Sequence, residues 1–270
     1  MREKLEVELL LEAVYRQYGF DFRSYAYASV RRRLWKRIRA EGLSTISALQ
    51  DRVLHEPVMM ERLLLDLSIN VTAMYRDPNF FRAFRTIVVP RLRTYPFIRV
   101  WHAGCSSGEE VVSMAILLTE EGLYDRARIY ATDINEVVLQ RARDAIFPLD
   151  RMQEYTENYL RAGGTRSFSE YYTARYDGAL FSPSLYANVV FAQHNLVTDR
   201  SFSEFHVIFC RNVLIYFDGS LQQRVHGLFH ESLATFGVLG VGSKESLRFA
   251  PAEARYEPVA QGEKLFRKVR

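Results

Sequence analysis

The chain has 270 residues, of which 48% are hydrophobic and 25% charged, with a formal net charge of +4. This composition is typical of a globular protein, and the mild positive charge does not by itself indicate nucleic-acid binding. The two cysteines, Cys105 and Cys210, lie far apart, which excludes a disulfide framework or a zinc-binding pattern. No apolar run reaches the ~18 residues of a membrane span, and the N-terminus lacks the apolar core of a signal peptide. We therefore expect a cytoplasmic protein with reduced thiols.

Residues 1–75 predict a small all-α domain. Residues at spacings of three and four give its first helix one apolar face: Val7, Leu10, Leu11 and Val14. Gly19 ends this helix, and Ser24 is expected to cap a second helix that extends to about Ala40. Two more helices are predicted, at residues 44–55 and from residue 61 to residue 67.

The second predicted helix has a concentrated positive face. Seven basic residues and no acidic residue lie between Arg23 and Ala40. The candidate docking residues are Arg31, Arg32, Arg33, Lys36, Arg37 and Arg39. On a helical wheel, all of these but Arg31 lie opposite the apolar stripe. The alternative is an ordinary solvated face, but such faces usually mix both signs of charge, which favours docking of an acidic partner.

Residues 76–96 predict a linker helix between two domains. Asp77 is expected to cap it, Pro78 takes the first helical position, and the helix stops near Pro90. Three polar residues precede the cap: Asn70, Thr72 and Arg76. They either form hydrogen bonds at a domain joint or line a cleft between the domains, where ligands often bind.

From residue 97 to residue 270, strands alternate with helices, which predicts a mostly parallel sheet in an α/β fold. A strand from Phe97 to Ala103 leads into a turn of small residues and then into a helix that starts at Glu109. Further strands are predicted at 128–132, 188–193 (as a buried strand), 205–210, 236–241 and 264–269, with helices at 135–142 and 221–233. The region at about 147–187 is rich in tyrosine and predicts an inserted subdomain with a helix and short antiparallel strands.

Polar residues collect at the predicted carboxyl ends of these strands, where ligands of such sheets bind. They are Gly104, Glu109, Asp133, Asn195, Arg211 and Asn212. Asp133 follows Gly104 by 29 residues and can accept hydrogen bonds from ribose hydroxyls. Glu109 and Glu110 stand where a pyrophosphate would bind the helix start, and there is no phosphate-binding G-x-x-x-x-G-K-[ST] motif. The pattern therefore favours a cationic or zwitterionic nucleoside such as S-adenosylmethionine.

Three segments together resemble the CheR family of bacterial chemotaxis receptor methyltransferases. They are Trp101-His-Ala-Gly-Cys-Ser-Ser-Gly-Glu-Glu110, Ala131-Thr-Asp-Ile-Asn135 and Phe209-Cys-Arg-Asn-Val-Leu-Ile-Tyr-Phe-Asp218, with Asn70-Val-Thr before them and Gly240-Val-Gly-Ser-Lys-Glu-Ser246 after them. The resemblance implies an all-α N-terminal domain, then a Rossmann-like S-adenosylmethionine methyltransferase domain with an inserted β-subdomain. It also implies methyl transfer to receptor glutamate side chains in signal adaptation, giving glutamyl methyl esters and S-adenosylhomocysteine.

The resemblance also implies roles for individual residues. The cofactor-binding residues would be Asn70, Thr72, Arg76, Ala103, Gly104, Glu109, Asp133, Asn195, Leu196, Arg211 and Asn212. Glu109 would face the methionine part of the cofactor and Asp133 its ribose. Arg76 and Tyr216 would lie near the transferred methyl, although Tyr216 could instead be a core aromatic residue. The basic helix would dock the cytoplasmic helical bundle of a receptor, and we expect a monomer without a metal.

The sequence departs from the family pattern at His102, where serine is common, and at Val111-Val112, where Pro-Tyr is common. The inserted region lacks the glycine-bearing pattern associated with binding a receptor's C-terminal pentapeptide, so we expect docking without it.

Two other functions stay open. The first is a nucleic-acid methyltransferase. Against it, Cys210-Arg-Asn-Val stands where amino-methylating enzymes have Asn/Asp-Pro-Pro-Tyr, and neither cysteine follows a proline, as the nucleophile of cytosine-methylating enzymes does. A non-catalytic module that senses S-adenosylmethionine is disfavoured by the full set of ligand residues. A glutamate acceptor is already ionised at neutral pH, which fits the lack of a recognisable general base.

Overall fold

The computed structural model describes residues 1–68, 72–248, 250 and 252–269. Its helices are α1 (Arg2–Tyr18), α2 (Tyr27–Ala40), α3 (Ile46–His55), α4 (Pro57–Leu67), α5 (Pro78–Ala83), α6 (Val89–Leu92), α7 (Glu109–Glu120), α8 (Glu136–Asp144), α9 (Met152–Arg161) and α10 (Gly219–Ser232). Its strands are β1 (Ile98–Ala103), β2 (Ala127–Asp133), β3 (Ile146–Pro148), β4 (Tyr172–Arg175), β5 (Gly178–Phe181), β6 (Val189–Gln193), β7 (Phe205–Cys210), β8 (Leu233–Val241), β9 (Tyr256–Pro258) and β10 (Leu265–Lys268). None of the helices in these ranges is long and apolar enough to span a membrane.

Helices α1 to α4 pack around a core of their own. The apolar face predicted for α1 is buried, and Gly19 ends that helix in the left-handed conformation at φ 78°. The prediction that Ser24 caps α2 is wrong, because α2 begins at Tyr27 and has no side-chain cap. The segment before α2 pairs instead with the other domain, where the Asp218 N–H donates to the Ser24 carbonyl over 2.9 Å.

The linker helix is longer and less regular than predicted. Asp77 precedes it, but at φ 57° and without a capping hydrogen bond, so the predicted capping role is wrong. The Asp77 carboxylate pairs instead with Arg211, 2.7 Å away. A π-helical turn at Phe84–Val88 joins α5 to α6, and the helix continues past Pro90 to Leu92. Pro90 lies just after the π-helical turn, at the point where the helical hydrogen-bond pattern changes.

A seven-stranded sheet forms the centre of the second domain, in the order β6-β2-β1-β7-β8-β10-β9. The first five strands are parallel to their neighbours, and β10 and β9 are antiparallel additions at one edge. The chain adds β2 and β6 on one side of β1 and β7 and β8 on the other. This reversal places a topological switch point, the usual ligand position in such sheets, at the carboxyl ends of β1 and β7. The predicted Rossmann-like fold is confirmed.

The inserted region forms a second, three-stranded antiparallel sheet in the order β3-β5-β4, together with α9. A β-subdomain insertion is thus confirmed. Strand β6 was predicted to be buried, but it is the outer strand of the large sheet and only partly buried, because no further strand covers it. The short strand β9 was not predicted.

Candidate functional site

A cleft with two adjacent compartments lies at the switch point of the large sheet. The small compartment is lined by Thr72, Arg76, Gly104, Cys105, Ser106, Glu110, Arg211, Asn212 and Val213. The large compartment is lined by Tyr25, Leu67, Ser68, Gly104, Asp133, Ile134, His194, Asn195, Leu196, Val197, Asn212, Val213, Tyr216 and Phe217. The two share Gly104, Asn212 and Val213, so a long ligand could extend through both.

The turn after β1 needs glycine at the point where the compartments meet. Gly104 has φ 79°, and a Cβ there would lie 2.6 Å from Val213 Cγ2. A side chain at this position would therefore clash as well as strain the backbone. The Gly104 and Cys105 N–H groups both donate to the Thr132 carbonyl, over 2.8 and 2.9 Å, which fixes the turn against the end of β2.

Asp133 stands at the end of β2 in the large compartment. Its carboxylate accepts hydrogen bonds from the backbone N–H groups of Ser106 (2.9 Å) and Asn135 (3.0 Å). Burial raises the pKa of Asp133, while these two hydrogen bonds act in the opposite direction. The two oxygens retain further lone pairs, so the group can accept hydrogen bonds from ligand hydroxyls.

Glu110 supplies a carboxylate to the small compartment. His102 Nδ1 lies 2.9 Å from one carboxylate oxygen, and Arg211 Nη1 donates to the other over 2.7 Å. Burial opposes ionisation, but Arg211 and His102 outweigh it and lower the pKa of Glu110 to about 2. Glu110 is therefore an ionised carboxylate that these two residues hold in place.

Arg211 connects this carboxylate to the linker. Its Nη2 donates to the Arg76 carbonyl (2.9 Å) and to Asp77 Oδ2 (2.7 Å), and its guanidinium lies 4.1 Å from the centre of the Phe80 ring. The side chain is only 2% exposed. One buried cation thus joins the ends of β1 and β7 to the segment that carries Arg76.

Glu109 does not line either compartment, so the structure does not support the prediction that it faces the methionine part of the cofactor. Its carboxylate is buried and accepts a hydrogen bond from the Ser107 hydroxyl over 2.7 Å. Burial raises its pKa, and the nearby charge that lowers it is Arg151 of the inserted region. Consecutive helical residues point ~100° apart, so the two glutamates point in different directions. The structure places Glu110 in the cleft.

The structure brings most of the other predicted site residues together. Thr72, Arg76 and Arg211 line the small compartment, Asp133, Asn195, Leu196 and Tyr216 line the large one, and Gly104 and Asn212 line both. Ala103 is buried at the end of β1 and lines neither. Asn70 lies outside the described residues. Arg76 lines the small compartment and Tyr216 the large one, and their predicted position near the transferred methyl stays a prediction.

The predicted cleft between the domains did not include three residues of the N-terminal domain that line the large compartment. Tyr25, Leu67 and Ser68 all line it. The Tyr25 and Phe217 rings meet edge to face with 4.9 Å between centroids, and burial raises the pKa of the Tyr25 hydroxyl. These contacts join residues distant in sequence, which local spacing cannot predict.

The predicted docking residues on α2 do not form one free positive face. Arg33 is buried, which corrects the prediction that it lies on the outer face. Acidic residues outside α2 pair with several of the rest: Arg31 with Glu3, Lys36 with Asp66, and Arg37 with Asp66 and with Glu41, which directly follows the helix. The absence of acids within α2 was therefore misleading. Arg32 and Arg39 are exposed and form no ion pair with any described residue.

The histidine and cysteines at the strand ends have structural surroundings. His194 packs edge to face on Trp101, 5.3 Å between centroids, and its Nε2 lies 3.2 Å from the Arg200 carbonyl. Cys105 and Cys210 are both buried and free, and burial raises the pKa of both thiols. Buried thiols of this kind are poor nucleophiles.

Comparisons with known proteins agree with this geometry. Residues 5–68 match the family model of the CheR methyltransferase all-alpha domain, and residues 70–262 match that of the CheR methyltransferase SAM binding domain. Cher3 of Pseudomonas putida is 54% identical over 264 residues, which cover 98% of this chain and 97% of that protein. The chemotaxis protein methyltransferases of Listeria monocytogenes and Escherichia coli are each 29% identical, covering 87% and 91% of this chain and 87% and 85% of their own lengths. The chain therefore belongs to the CheR methyltransferase family, and its cofactor is S-adenosylmethionine.

Proposed function

We propose that this protein transfers the methyl group of S-adenosylmethionine to glutamate side chains of a chemoreceptor, forming glutamyl methyl esters. Its relatives named chemotaxis protein methyltransferases support a role in chemotaxis. The observation that carries the choice of acceptor is a buried cation beside the cleft, Arg33. We also propose the division of the chain expected above: a helical domain to about residue 75, a linker helix, and the methyltransferase domain from about residue 97.

Arg33 carries a positive charge that no carboxylate of the described chain neutralises, and it lies behind Tyr216 rather than in the lining of either compartment. Its side chain is buried, and Nη1 donates to the Leu67 carbonyl over 2.8 Å. Its guanidinium lies 4.8 Å from the centre of the Tyr216 ring, which lines the large compartment. Nη2 has no hydrogen-bond partner, and Arg33 forms no ion pair within the described chain. Burial lowers the pKa of Arg33, but an arginine stays protonated at neutral pH, so an acceptor carboxylate would satisfy this charge.

The cleft residues fit the chemistry of the cofactor. The Asp133 carboxylate in the large compartment would accept hydrogen bonds from the ribose hydroxyls. The ionised Glu110 carboxylate in the small compartment would bind the cationic ammonium group of the methionine part. Asn195 and Leu196 would contact the adenine. Asn70, Thr72, Ala103 and Asn212 stay predicted cofactor contacts.

When bound, the cofactor supplies a methyl group activated by its sulfonium. The acceptor carboxylate is already ionised at neutral pH, so no residue has to remove a proton. The chain's part is to position the acceptor and exclude water from it. We propose that Arg76 attracts and orients the carboxylate and that the Tyr216 hydroxyl aligns it with the methyl.

The exposed cations of α2 would dock the receptor. Arg32 and Arg39 are the predicted docking residues that no described carboxylate neutralises, and Lys36 is 74% exposed although it pairs with Asp66. An acidic helical bundle on this surface would lie beside Arg33. The same helix would thus both recognise the receptor and contribute to the acceptor site.

Methyl transfer from isotopically labelled cofactor to chemoreceptors, followed by mild base, tests the proposal. Carboxyl methyl esters release volatile labelled methanol, and a label that stays on the protein would exclude a glutamate acceptor. Arg33→Gln should raise KM for the receptor by ~10-fold, because a charge-assisted contact is lost. Its affinity for S-adenosylhomocysteine should stay within ~2-fold of the original protein. If the variant lost affinity for the receptor and for S-adenosylhomocysteine to the same extent, Arg33 would only support the fold.

A further inference from the structure

A second cavity lies at the opposite edge of the large sheet, near the amino ends of β1 and β7. It has a volume of about 240 Å³. We refer to it as the amino-edge cavity. None of its lining residues lines either compartment of the cofactor cleft. A ligand here would therefore bind without displacing the cofactor.

The lining combines an apolar floor with hydrogen-bond donors. Val88, Leu92 and Val238 are buried and form the floor. The polar groups come from Arg91, Thr94, Tyr95, His206 and Arg267, and no carboxylate is among the lining residues. Such a wall suits a ligand that has both an apolar part and an anionic group.

The two arginines provide the positive charge. Arg91 is exposed and has no ion pair among the residues that the structure describes. Arg267 pairs with Glu257, but its Nε has no hydrogen-bond partner in the described chain. Arg91 therefore supplies the unpaired positive charge at this wall, and Arg267 adds a second guanidinium that Glu257 pairs on one side.

His206 adds a neutral donor. Its Nδ1 accepts the Arg99 backbone N–H over 2.9 Å, so the ring proton is on Nε2. Burial lowers the pKa of His206, and the charge of Arg99 lowers it further, which keeps the ring uncharged at neutral pH. The ring packs against Tyr95 at 4.7 Å between centroids, giving the cavity an aromatic wall.

Phe236 is held in a strained position at the rim. The pairing of β7 with β8 is irregular between Phe205 and Val207, which face Leu233 and Val238, so residues 234–237 bulge out of the ladder. Phe236 has φ 68° and is 57% exposed. A bulky residue with positive φ has a strained backbone, and burial of the Phe236 ring does not offset that strain because the ring is largely exposed. The bulge therefore presents an aromatic ring to the cavity at a cost to the fold.

We propose that the amino-edge cavity binds a small aromatic anion. Its ring would pack on Phe236 and the apolar floor, and its phosphate, sulfonate or carboxylate would bind Arg91 and Arg267. The site is independent of methyl transfer.

The probe is 8-anilinonaphthalene-1-sulfonate, titrated by fluorescence with the full chain saturated by S-adenosylhomocysteine, which blocks the cofactor cleft. N-phenyl-1-naphthylamine is the matched uncharged probe because it lacks only the sulfonate. We expect the anionic probe to bind at least ~10-fold more tightly, as one charge-assisted contact predicts. Equal affinity for both probes would overturn the proposal.

Three variants test whether the probe binds in the amino-edge cavity. Arg91→Gln should weaken binding of the anionic probe by ~5-fold or more and leave the neutral probe unchanged. Phe236→Gly should weaken both probes without lowering Tm, because glycine accepts the positive φ. Arg141→Gln, an exposed arginine on α8, should change neither. If Arg91→Gln and Arg141→Gln behave alike, or if the probe competes with S-adenosylhomocysteine, the cavity is not the site.

Discussion

Arginine–carboxylate contacts occur in two regions of this protein, and their surroundings give them different roles. On α2 the cations reach acids on neighbouring helices while staying in contact with water; the Lys36 side chain, for example, is 74% exposed. At the small compartment, Arg211 is 2% exposed and holds Glu110, Asp77 and the Arg76 carbonyl together. Exposed pairs are screened and add little stability, whereas removing one partner of a buried pair leaves an uncompensated charge. The same pairing chemistry therefore leaves one surface available for docking and makes the other a rigid part of the site.

Replacing Arg211 should have the largest effect. Arg211→Gln leaves the Glu110 carboxylate, which is 16% exposed, with only His102 beside it, so the free energy of unfolding should fall by about 3–5 kcal/mol in urea denaturation. Arg93→Gln is the control, because Arg93 is 50% exposed in its pair with Glu121 and its loss should cost less than about 1 kcal/mol. Similar losses in the two variants would contradict the distinction between buried and exposed pairs.

Removing the Tyr216 hydroxyl tests whether the reaction takes place where the two compartments meet. Tyr216→Phe keeps the ring under Arg33 and removes only the hydroxyl, so kcat should fall by ~100-fold while cofactor affinity stays unchanged. Tyr176→Phe, at an 87% exposed tyrosine, should have full activity. Full turnover of Tyr216→Phe would show that Tyr216 is only a packing residue.

The adjacent glutamates provide a matched pair inside the buried region. Glu110→Gln removes an ionised carboxylate from the small compartment and should weaken S-adenosylhomocysteine binding by ~10-fold in calorimetry. Glu109→Gln should change it by less than ~2-fold, since Glu109 lines neither compartment. The reverse order would restore the original prediction for Glu109.

Removing the exposed cations of α2 should have a weaker effect than the substitutions in the cleft. Arg32→Gln combined with Arg39→Gln should raise KM for the receptor by ~3–5-fold at low ionic strength and leave kcat unchanged. The difference should largely disappear at about 0.5 M salt, where such interactions are screened. Arg82→Gln with Arg141→Gln removes two exposed arginines elsewhere and should not change KM. A salt-independent effect of the α2 variant would argue against electrostatic docking.

The pH dependence of Glu109 should be the smallest effect. Burial raises the pKa of Glu109 in the folded protein, so the ionised group destabilises the fold above its unfolded pKa of about 4.3. Glu109→Gln should therefore raise Tm by roughly 2 °C at pH 8, with the gain shrinking as the pH falls toward about 4. The exposed Glu157→Gln should show no such trend in thermal scans. A gain independent of pH would mean that ionisation is not its cause.

Much of the fold followed from local pattern. The apolar spacing of Val7 to Val14 predicted the buried face of α1, and the run from Phe97 to Ala103 predicted β1 to within one residue. Side-chain capping was predicted less well. Ser24 and Asp77 are good caps by residue type, but both form contacts with the region around residues 211–218 instead. Such contacts join residues more than a hundred positions apart, which no local window contains.

The sequence by itself determined most of the elements, the parallel sheet, and the edge at which Gly104, Asp133, Asn195 and Arg211 would meet. These depend on hydrophobic periodicity and on the rule that parallel strands end together. Only the tertiary structure decided that Glu110 rather than Glu109 faces the cleft, because the left-handed turn at Gly108 sets the rotation of α7. It also decided that Arg33 is buried and that Tyr25 reaches the large compartment, since both depend on how the helical domain packs against the sheet.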